Sequence, residues 1–453
     1  MMHRKRRRIL IGLVAGGIGL SVVLFGGYGL NLVSAVDRST YEDLEAFTNV
    51  LAIVRKNYVE ETETQALIEG AINGMLGALD PHSAYLTPDS YKELQVDTEG
   101  SFGGLGIEIT IRDGILTVVS PIEDTPAYRA GVQAGDQIIK INDELTKDMS
   151  LIQAVKKMRG KQGTEITISV RREGVPRLID VPLVREVIKI RSVKSKTLED
   201  GYAYIRVTQF QDQTSHDLDA ALQKLGQENG QLQGMVLDLR NNPGGLLSQA
   251  VKVSDLFLSS GMIVYTEGRL ESQQQKYFAH PGGYTDIPMV VLVNGGSASA
   301  SEIVAGAVQD HGRAVVLGTK TFGKGSVQTI LPVDGGAALR LTTAMYFTPN
   351  GRSIQVKGIA PDIELENLPE AYAAARRRHG VREENLSGHF GNISNTPSET
   401  GGDSPADAEA APQALPEIDI KEGELGKDPQ LDRALELLKS WKVFQTTVAE
   451  AKS

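Results

Sequence analysis

No cysteine occurs anywhere in the 453 residues. That absence excludes a cysteine nucleophile, a thiolate metal site and any disulfide. It leaves the redox compartment open, because an oxidising one only permits disulfides. An excess of basic charge is missing too. Acidic side chains outnumber basic ones 57 to 47, for a formal charge of −10, and no basic stripe follows the first eight residues. Such a stripe is what neutralises phosphates, so nucleic acid is not an expected partner. No internal repeat is visible. What is present is ordinary globular composition, 41% apolar and 23% charged, rather than that of collagen, a coiled coil or a disordered chain. At roughly 150 residues per domain the length suits two or three folded units.

Arg4, Lys5, Arg6, Arg7 and Arg8 precede an uncharged stretch, residues 9–36. About 20 apolar residues cross a hydrocarbon core of about 30 Å, and flanking basic residues stay cytoplasmic. The expectation is a cytoplasmic basic stretch at 1–8, a single transmembrane signal anchor at 9–36, and export of everything after Asp37. Val33-Ser34-Ala35 is small enough for a cleavage site. The apolar stretch nevertheless exceeds a usual signal core of about 7–15 residues, which favours a retained anchor.

Residues 37–94 read as an N-terminal helical region. Leu44, Phe47, Val50, Leu51 and Val54, then Ala66, Ile68, Ala71, Ile72 and Met75, fall at helical spacing on either side of a break at 60–63. Asp80-Pro81-His82-Ser83 ends the helices with turn chemistry. His82 has no second ligand near it in the chain and reads as a solvated loop or cap residue. From 95 to 184 short alternating runs at 106–111, 116–119, 137–141, 165–170 and 178–181, with helical pieces at 127–129 and 151–158, make a compact, largely β domain. From 185 to 370, strand-like runs at 188–192, 202–207, 235–239, 262–265, 289–293, 314–317, 325–330 and 338–346 alternate with helical runs at 215–225, 250–257 and 301–309. That order predicts an α/β core. Residues 371–425, most clearly 387–424, are rich in Ser, Gly, Pro, Ala, Asp and Glu and read as a disordered acidic linker. Residues 426–453 regain helical spacing through Leu431, Ala434, Leu435, Leu438 and Trp441.

The β domain opens with Gly103, Gly104, Leu105, Gly106 and Ile107. Glycines before a strand let consecutive backbone N–H groups point into one concavity that holds a carboxylate. With Ser120-Pro121, Thr125-Pro126-Ala127, Ala130-Gly131-Val132 and Gly135-Asp136, this stretch resembles a PDZ domain of the bacterial protease type. The resemblance implies capture of a free peptide C-terminus by strand addition, with its carboxylate at residues 103–107.

Candidate chemistry concentrates in 291–304, where a buried strand enters the small-residue turn Gly295-Gly296-Ser297-Ala298-Ser299-Ala300-Ser301 before a helix. Ser299 with Glu302 fits a capping box. The same position sets a hydroxyl beside free N–H groups and a positive helix end, where an oxyanion is stabilised. Spacing does not choose among Ser297, Ser299 and Ser301. A serine nucleophile needs a base. His280 and His311 are in this region but lack an orienting acid in a recognisable order. Lys324 stands between Gly323 and Gly325 beside Phe322, and Lys324, Ser326 and Gln328 alternate onto one strand face. Burial disfavours an ammonium and so suits a lysine base. Gln328 could orient the amine without adding charge.

Six separate motifs extend the pattern: Gly74-Met75-Leu76 with Leu79-Asp80-Pro81-His82-Ser83, the PDZ-like stretch, Asp238-Leu239-Arg240-Asn241-Asn242-Pro243-Gly244-Gly245, the 296–302 turn, Phe322-Gly323-Lys324-Gly325, and Tyr346-Phe347-Thr348-Pro349-Asn350-Gly351-Arg352. In that order, residues 37 to about 370 resemble the carboxyl-terminal processing proteases, serine peptidases with a Ser–Lys dyad and a PDZ domain. The resemblance implies a multidomain α/β (α+β) fold with a crotonase-like, ClpP-like protease core. It also implies Ser299 as nucleophile 25 residues before the base Lys324, with Gln328 assisting and the amides of Gly245 and Ala300 as oxyanion hole. Arg159 matches an arginine some relatives use to sense the bound peptide, and Asp310 reads as structural. Implied partners are proteins with unstructured, apolar C-termini, an adaptor lipoprotein and a second copy of the chain; no cofactor or metal is needed. The implied location is the bacterial inner membrane with the catalytic part facing the periplasm, or the periplasm itself if the signal is cleaved. Two rival classes are a non-catalytic PDZ scaffold, which has no use for Ser299, Lys324 and Gln328 together, and a crotonase-like hydratase, which needs no PDZ unit.

Overall fold

The computed structural model describes residues 38–367 apart from 113, 148 and 200, and then 382–391 and 421–450. The expected membrane segment 9–36 lies outside the described residues, as do stretches 371–381 and 392–420 of the expected linker. Among the described residues no helix is long and apolar enough to cross a membrane.

The described residues fall into two compact units, one up to Gly74 and the other from Met75. The first carries the helix Arg38–Asn57 and most of the helix Thr64–Gly77, matching the two runs of helical spacing. Leu44, Phe47, Val50 and Ile53 are exposed along the first helix.

In the second unit the central sheet has six strands in the order Val193–Thr197, Tyr202–Val207, Gly234–Asp238, Met289–Val293, Val315–Gly318 and Ile363–Glu364. The first pair is antiparallel and the rest are parallel. Parallel strands are buried on both faces, and every residue of Gly234–Asp238 and Met289–Val293 is buried. Alternation decides which face each one serves. Met235, Leu237, Val291 and Val293 join the core under the helices Thr214–Asn229, Leu247–Asp255 and Ala300–Asp310. Val236, Val290 and Leu292 face Leu431, Ala434, Leu435 and Leu438. These four apolar positions of the terminal helix Pro429–Glu450 therefore cover the second face of the sheet.

A second, antiparallel sheet joins Ala84–Leu86, Ala338–Phe347, Met262–Gly268 and Gln275–Phe278, with Ser326–Pro332 also paired to Ala338–Phe347. Residues 107–184 form the PDZ-type sheet around their own core of Leu116, Val118, Ile138, Ile141, Ile168 and Val170. A two-stranded ribbon, Ser101–Gly104 with Glu186–Lys189, brackets that domain at its two ends. The helix Pro88–Glu99 runs across residue 95, where the sequence suggests a domain start. Thr87 caps it and a left-handed Gly100 ends it.

Parts of the stretch read as a disordered linker are packed. Residues 382–391 bury Glu383, and residues 421–427 lead into a buried Asp428. Composition misled here because both carboxylates are matched by partners far away in the chain.

Candidate active site

The loops after Gly234–Asp238 and Met289–Val293 meet at the carboxyl ends of adjacent parallel strands, where open α/β sheets form their clefts. Asn242 joins them. Its amide donates to the Val207 carbonyl at 2.8 Å, its Oδ1 accepts the Gly244 N–H at 2.9 Å, and its own carbonyl accepts the Ala298 N–H at 3.0 Å.

Three serines compete for the nucleophile's place, and the packing separates them. Ser297 is fully buried and its hydroxyl donates to the Leu239 carbonyl at 2.8 Å. Ser301 is also fully buried and donates to the Asn242 carbonyl at 2.9 Å. Both hydroxyls are spent holding the loops together. Ser299 retains 7% exposure and sits at φ 56°, ψ −113°, a conformation rare for a residue with a Cβ. Strain of this kind costs on the order of 1–3 kcal/mol and persists only where the surroundings impose it. The Ser299 hydroxyl neighbours that of Tyr346, whose pKa burial pushes up to about 12.

Glu302 imposes the geometry. It is fully buried. Its Oε2 accepts the N–H of Ser299 at 2.8 Å and of Lys324 at 2.9 Å, while Oε1 accepts the Gly323 N–H at 2.7 Å and the Thr321 hydroxyl at 2.5 Å. One carboxylate thus clamps the serine turn to the lysine loop. Burial pushes this carboxyl up to about 7, against the pull of those four donors. The glutamate half of the capping box is present, and it serves a loop 19 to 22 residues away as well as its own helix.

Lys324 is half-buried two residues before the strand Ser326–Pro332. Burial and the nearby Arg340 lower its pKa, opposed by Glu383, Glu302 and Asp80. Among the described residues no hydrogen bond joins its amine to Ser299 or to Gln328. Gln328 instead donates to Ser326 Oγ at 2.9 Å and Thr342 Oγ1 at 3.4 Å. The expected orienting contact of Gln328 on the amine is therefore absent in this conformation.

Gly244 and Gly245 pass directly beside Ser299. A Cβ on Gly244 would lie 2.8 Å from Ser299 Cβ and 3.0 Å from Ala300 N, and one on Gly245, at φ 138°, would lie 2.2 Å from the Phe210 carbonyl oxygen. Only glycine fits that approach. Among the described residues neither the Gly245 nor the Ala300 N–H has a hydrogen-bond partner, so both are available to an acceptor beside Ser299.

His280 lies at the surface on Asp255 (3.0 Å), and His311 meets the Met262 carbonyl (2.7 Å); neither bonds Ser299. Asp310 ends its helix by accepting the Asn350 N–H at 2.9 Å and pairing with Arg352, which is structural work. His82 is not the solvated loop residue that its surroundings in the chain suggest. Its Nε2 meets both oxygens of Glu383, at 2.9 and 2.8 Å. Nothing local marks that partner, because it is 301 positions away.

In the PDZ domain, Gly103 and Gly104 pair with Val187 and Glu186 in the ribbon, leaving Leu105 and Gly106 as the turn into the strand that Ile107 opens. Arg159 ends the helix Leu151–Met158 with its guanidinium 4.5 Å from the centre of the Phe102 ring. Among the described residues no group of His, Asp and Glu is placed to hold a metal ion.

A strained serine at a helix N-terminus, two free amides beside it and a lysine clamped to the same carboxylate define a serine-type hydrolase site on an α/β core that carries a PDZ domain. Residues 201–365 match the description "Peptidase family S41", residues 117–172 "PDZ domain", and residues 30–90 "Activating protease CtpB N-terminal domain". The carboxy-terminal-processing protease of Bartonella bacilliformis is 49% identical over 358 residues, covering 78% of this chain and 82% of that protein. The carboxy-terminal processing protease CtpA of Bacillus subtilis is 33% identical over 371 residues, covering 82% and 79%. Among solved structures, the photosystem II D1 C-terminal processing protease is 28% identical, with a TM-score of 0.42, covering 73% of this chain and 95% of that one. The chain belongs to the carboxy-terminal processing proteases of peptidase family S41, and it is a serine-type peptidase with a PDZ domain.

Proposed function

We propose that the chain cleaves unstructured C-terminal tails of envelope proteins through an acyl-enzyme formed on Ser299. One observation carries this assignment: of the three serines in the turn, Ser299 alone has a hydroxyl not bonded to backbone, and it stands beside two free amides. In the reaction, neutral Lys324 takes the hydroxyl proton as Oγ attacks the substrate carbonyl. The oxyanion accepts the N–H groups of Gly245 and Ala300. As the peptide C–N bond breaks, the Lys324 ammonium returns a proton to the leaving amine, and water then hydrolyses the ester by the same steps.

Lowering of the Lys324 pKa by burial favours the neutral amine this role requires. Among the described residues no hydrogen bond joins the Ser299 hydroxyl to the Lys324 amine, so the two groups must come together before attack. Gln328 would turn to the amine in the engaged state, and Arg159, stacked on Phe102 at the PDZ boundary, would report an occupied peptide groove formed by Gly103, Gly104, Leu105, Gly106 and Ile107. Strand addition needs unpaired backbone, which restricts substrates to extended tails.

Residues 9–36 would anchor the chain in the inner membrane with Arg4–Arg8 in the cytoplasm and the peptidase in the periplasm. The exposed apolar residues of Arg38–Asn57 suit a second copy or an adaptor lipoprotein.

The experiment is cleavage of an unstructured protein by the purified full-length chain. Ser299→Ala and Lys324→Ala should each reduce turnover to background while Ser297→Ala and Ser301→Ala alter mainly stability. Undiminished turnover by either of the first two rejects the dyad.

A further inference from the structure

Residues 382–391 return to the Lys324 loop from beyond the strand Ile363–Glu364, and they bring a carboxylate with them. Glu383 opens the short turn Glu383–Asn385 and has no exposed surface. An unpaired carboxylate in such a place costs several kcal/mol, so its partners identify its task. Two of them, Gln355 and Phe322, belong to the backbone network around Lys324. Glu383 Oε1 accepts from Gln355 Nε2 at 2.8 Å, both oxygens meet His82 Nε2, and the Glu383 N–H reaches the Phe322 carbonyl at 3.4 Å. Gln355 in turn accepts the Gly325 N–H at 2.9 Å and donates to the Phe390 carbonyl at 3.2 Å. The backbone on both sides of Lys324, at Phe322 and Gly325, is thereby tied to residues 382–391. The two amides between, those of Gly323 and Lys324, are held by Glu302.

We propose that Glu383 is a positioning residue that docks residues 382–391 on the 322–325 loop and, through that loop, fixes where the Lys324 amine points. This rests on Lys324 acting as the base. Glu383 also contributes charge. Burial alone would raise its own carboxyl, but hydrogen bonds from His82 and Gln355 and attraction to His82 and Lys324 hold it below the ordinary value. Around the amine, Glu383, Glu302 from its helix and Asp80 from the 80–83 turn favour the ammonium. Burial and Arg340 from the strand Ala338–Phe347 oppose them. His82 meets both oxygens of Glu383.

The test uses the full-length chain with Glu383→Gln, which keeps the shape and removes the charge. Turnover should fall about 10- to 100-fold with little change in KM, as for a displaced catalytic group. Loss of a negative charge lowers the amine's pKa, so the acidic limb of the kcat–pH profile should move down by about one unit. Loss of packing alone would not move that limb. Amide hydrogen exchange should rise at 322–325 and stay unchanged at 234–238. A wild-type limb with wild-type exchange overturns the proposal. If Glu383→Gln does not fold, His82→Leu removes a partner of the same carboxylate and should raise exchange at 322–325; unchanged exchange there again overturns it. An active Lys324→Ala enzyme would refute the dyad instead, and the exchange measurement, which needs no turnover, still decides the docking.

Discussion

Arg240 and Asp428, 188 positions apart in the chain, form a two-pronged ion pair, at 2.9 and 2.6 Å, with no exposed side-chain surface on either partner. Arg240 also grips Asp238, whose carboxylate accepts the Tyr204 hydroxyl at 2.7 Å, and reaches Gln430 at 2.9 Å. The pair therefore nails the start of the terminal helix to the chain just before Asn242-Pro243-Gly244-Gly245. Breaking a buried pair from one side leaves a charge without a partner, so Asp428→Asn should destabilise the chain by about 3–5 kcal/mol in urea unfolding. Burial would raise the Asp428 carboxyl, but the hydrogen bonds and charge of Arg240, with the Gly423 and Leu431 amides, hold it lower than usual. A carboxyl depressed on folding stabilises above its unfolded pKa of about 4, and that contribution is lost as pH falls through the folded value. Wild type should thus lose more stability than Asp428→Asn between pH 5 and acid; parallel curves would contradict the role of the pair.

Glu302 makes a second prediction through its four donors. Glu302→Ala leaves the amides of Ser299, Gly323 and Lys324 buried without an acceptor, at about 1–3 kcal/mol for each unsatisfied group. Turnover should drop by about 100-fold or more, because the serine turn and the lysine loop lose their common clamp. A thermal melt and a single-turnover assay on the same preparation separate the two effects. An active, equally stable Glu302→Ala variant would show that the loops align without it.

Gly245→Ala probes the amide itself. The added methyl meets the Phe210 carbonyl oxygen at 2.2 Å, so the loop must move and take the Gly245 N–H with it. Loss of one oxyanion donor costs about 10²–10³ in kcat. Binding of a C-terminal peptide to the PDZ domain, measured by fluorescence anisotropy, should be unaffected. Full activity in this variant would remove Gly245 from the oxyanion hole.

Arg159→Ala tests communication from the PDZ domain. Arg159 and Phe102 are both half-buried, and their stacking at 4.5 Å is worth about 0.5–2 kcal/mol. That suffices to bias two states severalfold and contributes little to the fold. Peptide binding should persist, while stimulation of cleavage by that peptide should weaken. Identical stimulation in the variant would leave Arg159 as a surface residue only.

Periodicity made much of the fold legible. Tyr202–Val207, Met289–Val293, Gln137–Ile141 and Leu151–Met158 lie where their patterns predict, because each buries one face or both against a core. The misses share a cause. Pro88–Glu99 buries none of its side chains, Val193–Thr197 is a polar edge strand, and Gln275–Phe278 is an edge strand without a buried residue. None of them carries the apolar rhythm that a core imposes.

The same division runs through the site. Residue order alone singled out the 297–301 turn, the Lys324 loop and the Asn242–Gly245 turn, since short-range glycine, serine and capping chemistry is written in neighbouring positions. It could not say that Ser297 and Ser301 would donate to backbone, that Glu302 would clamp the lysine loop, or that His82 would find Glu383. Those are pairings of single polar atoms, up to 301 positions apart. They have no period to detect, and they exist only once burial of the two sheet faces has brought distant loops into one dry space.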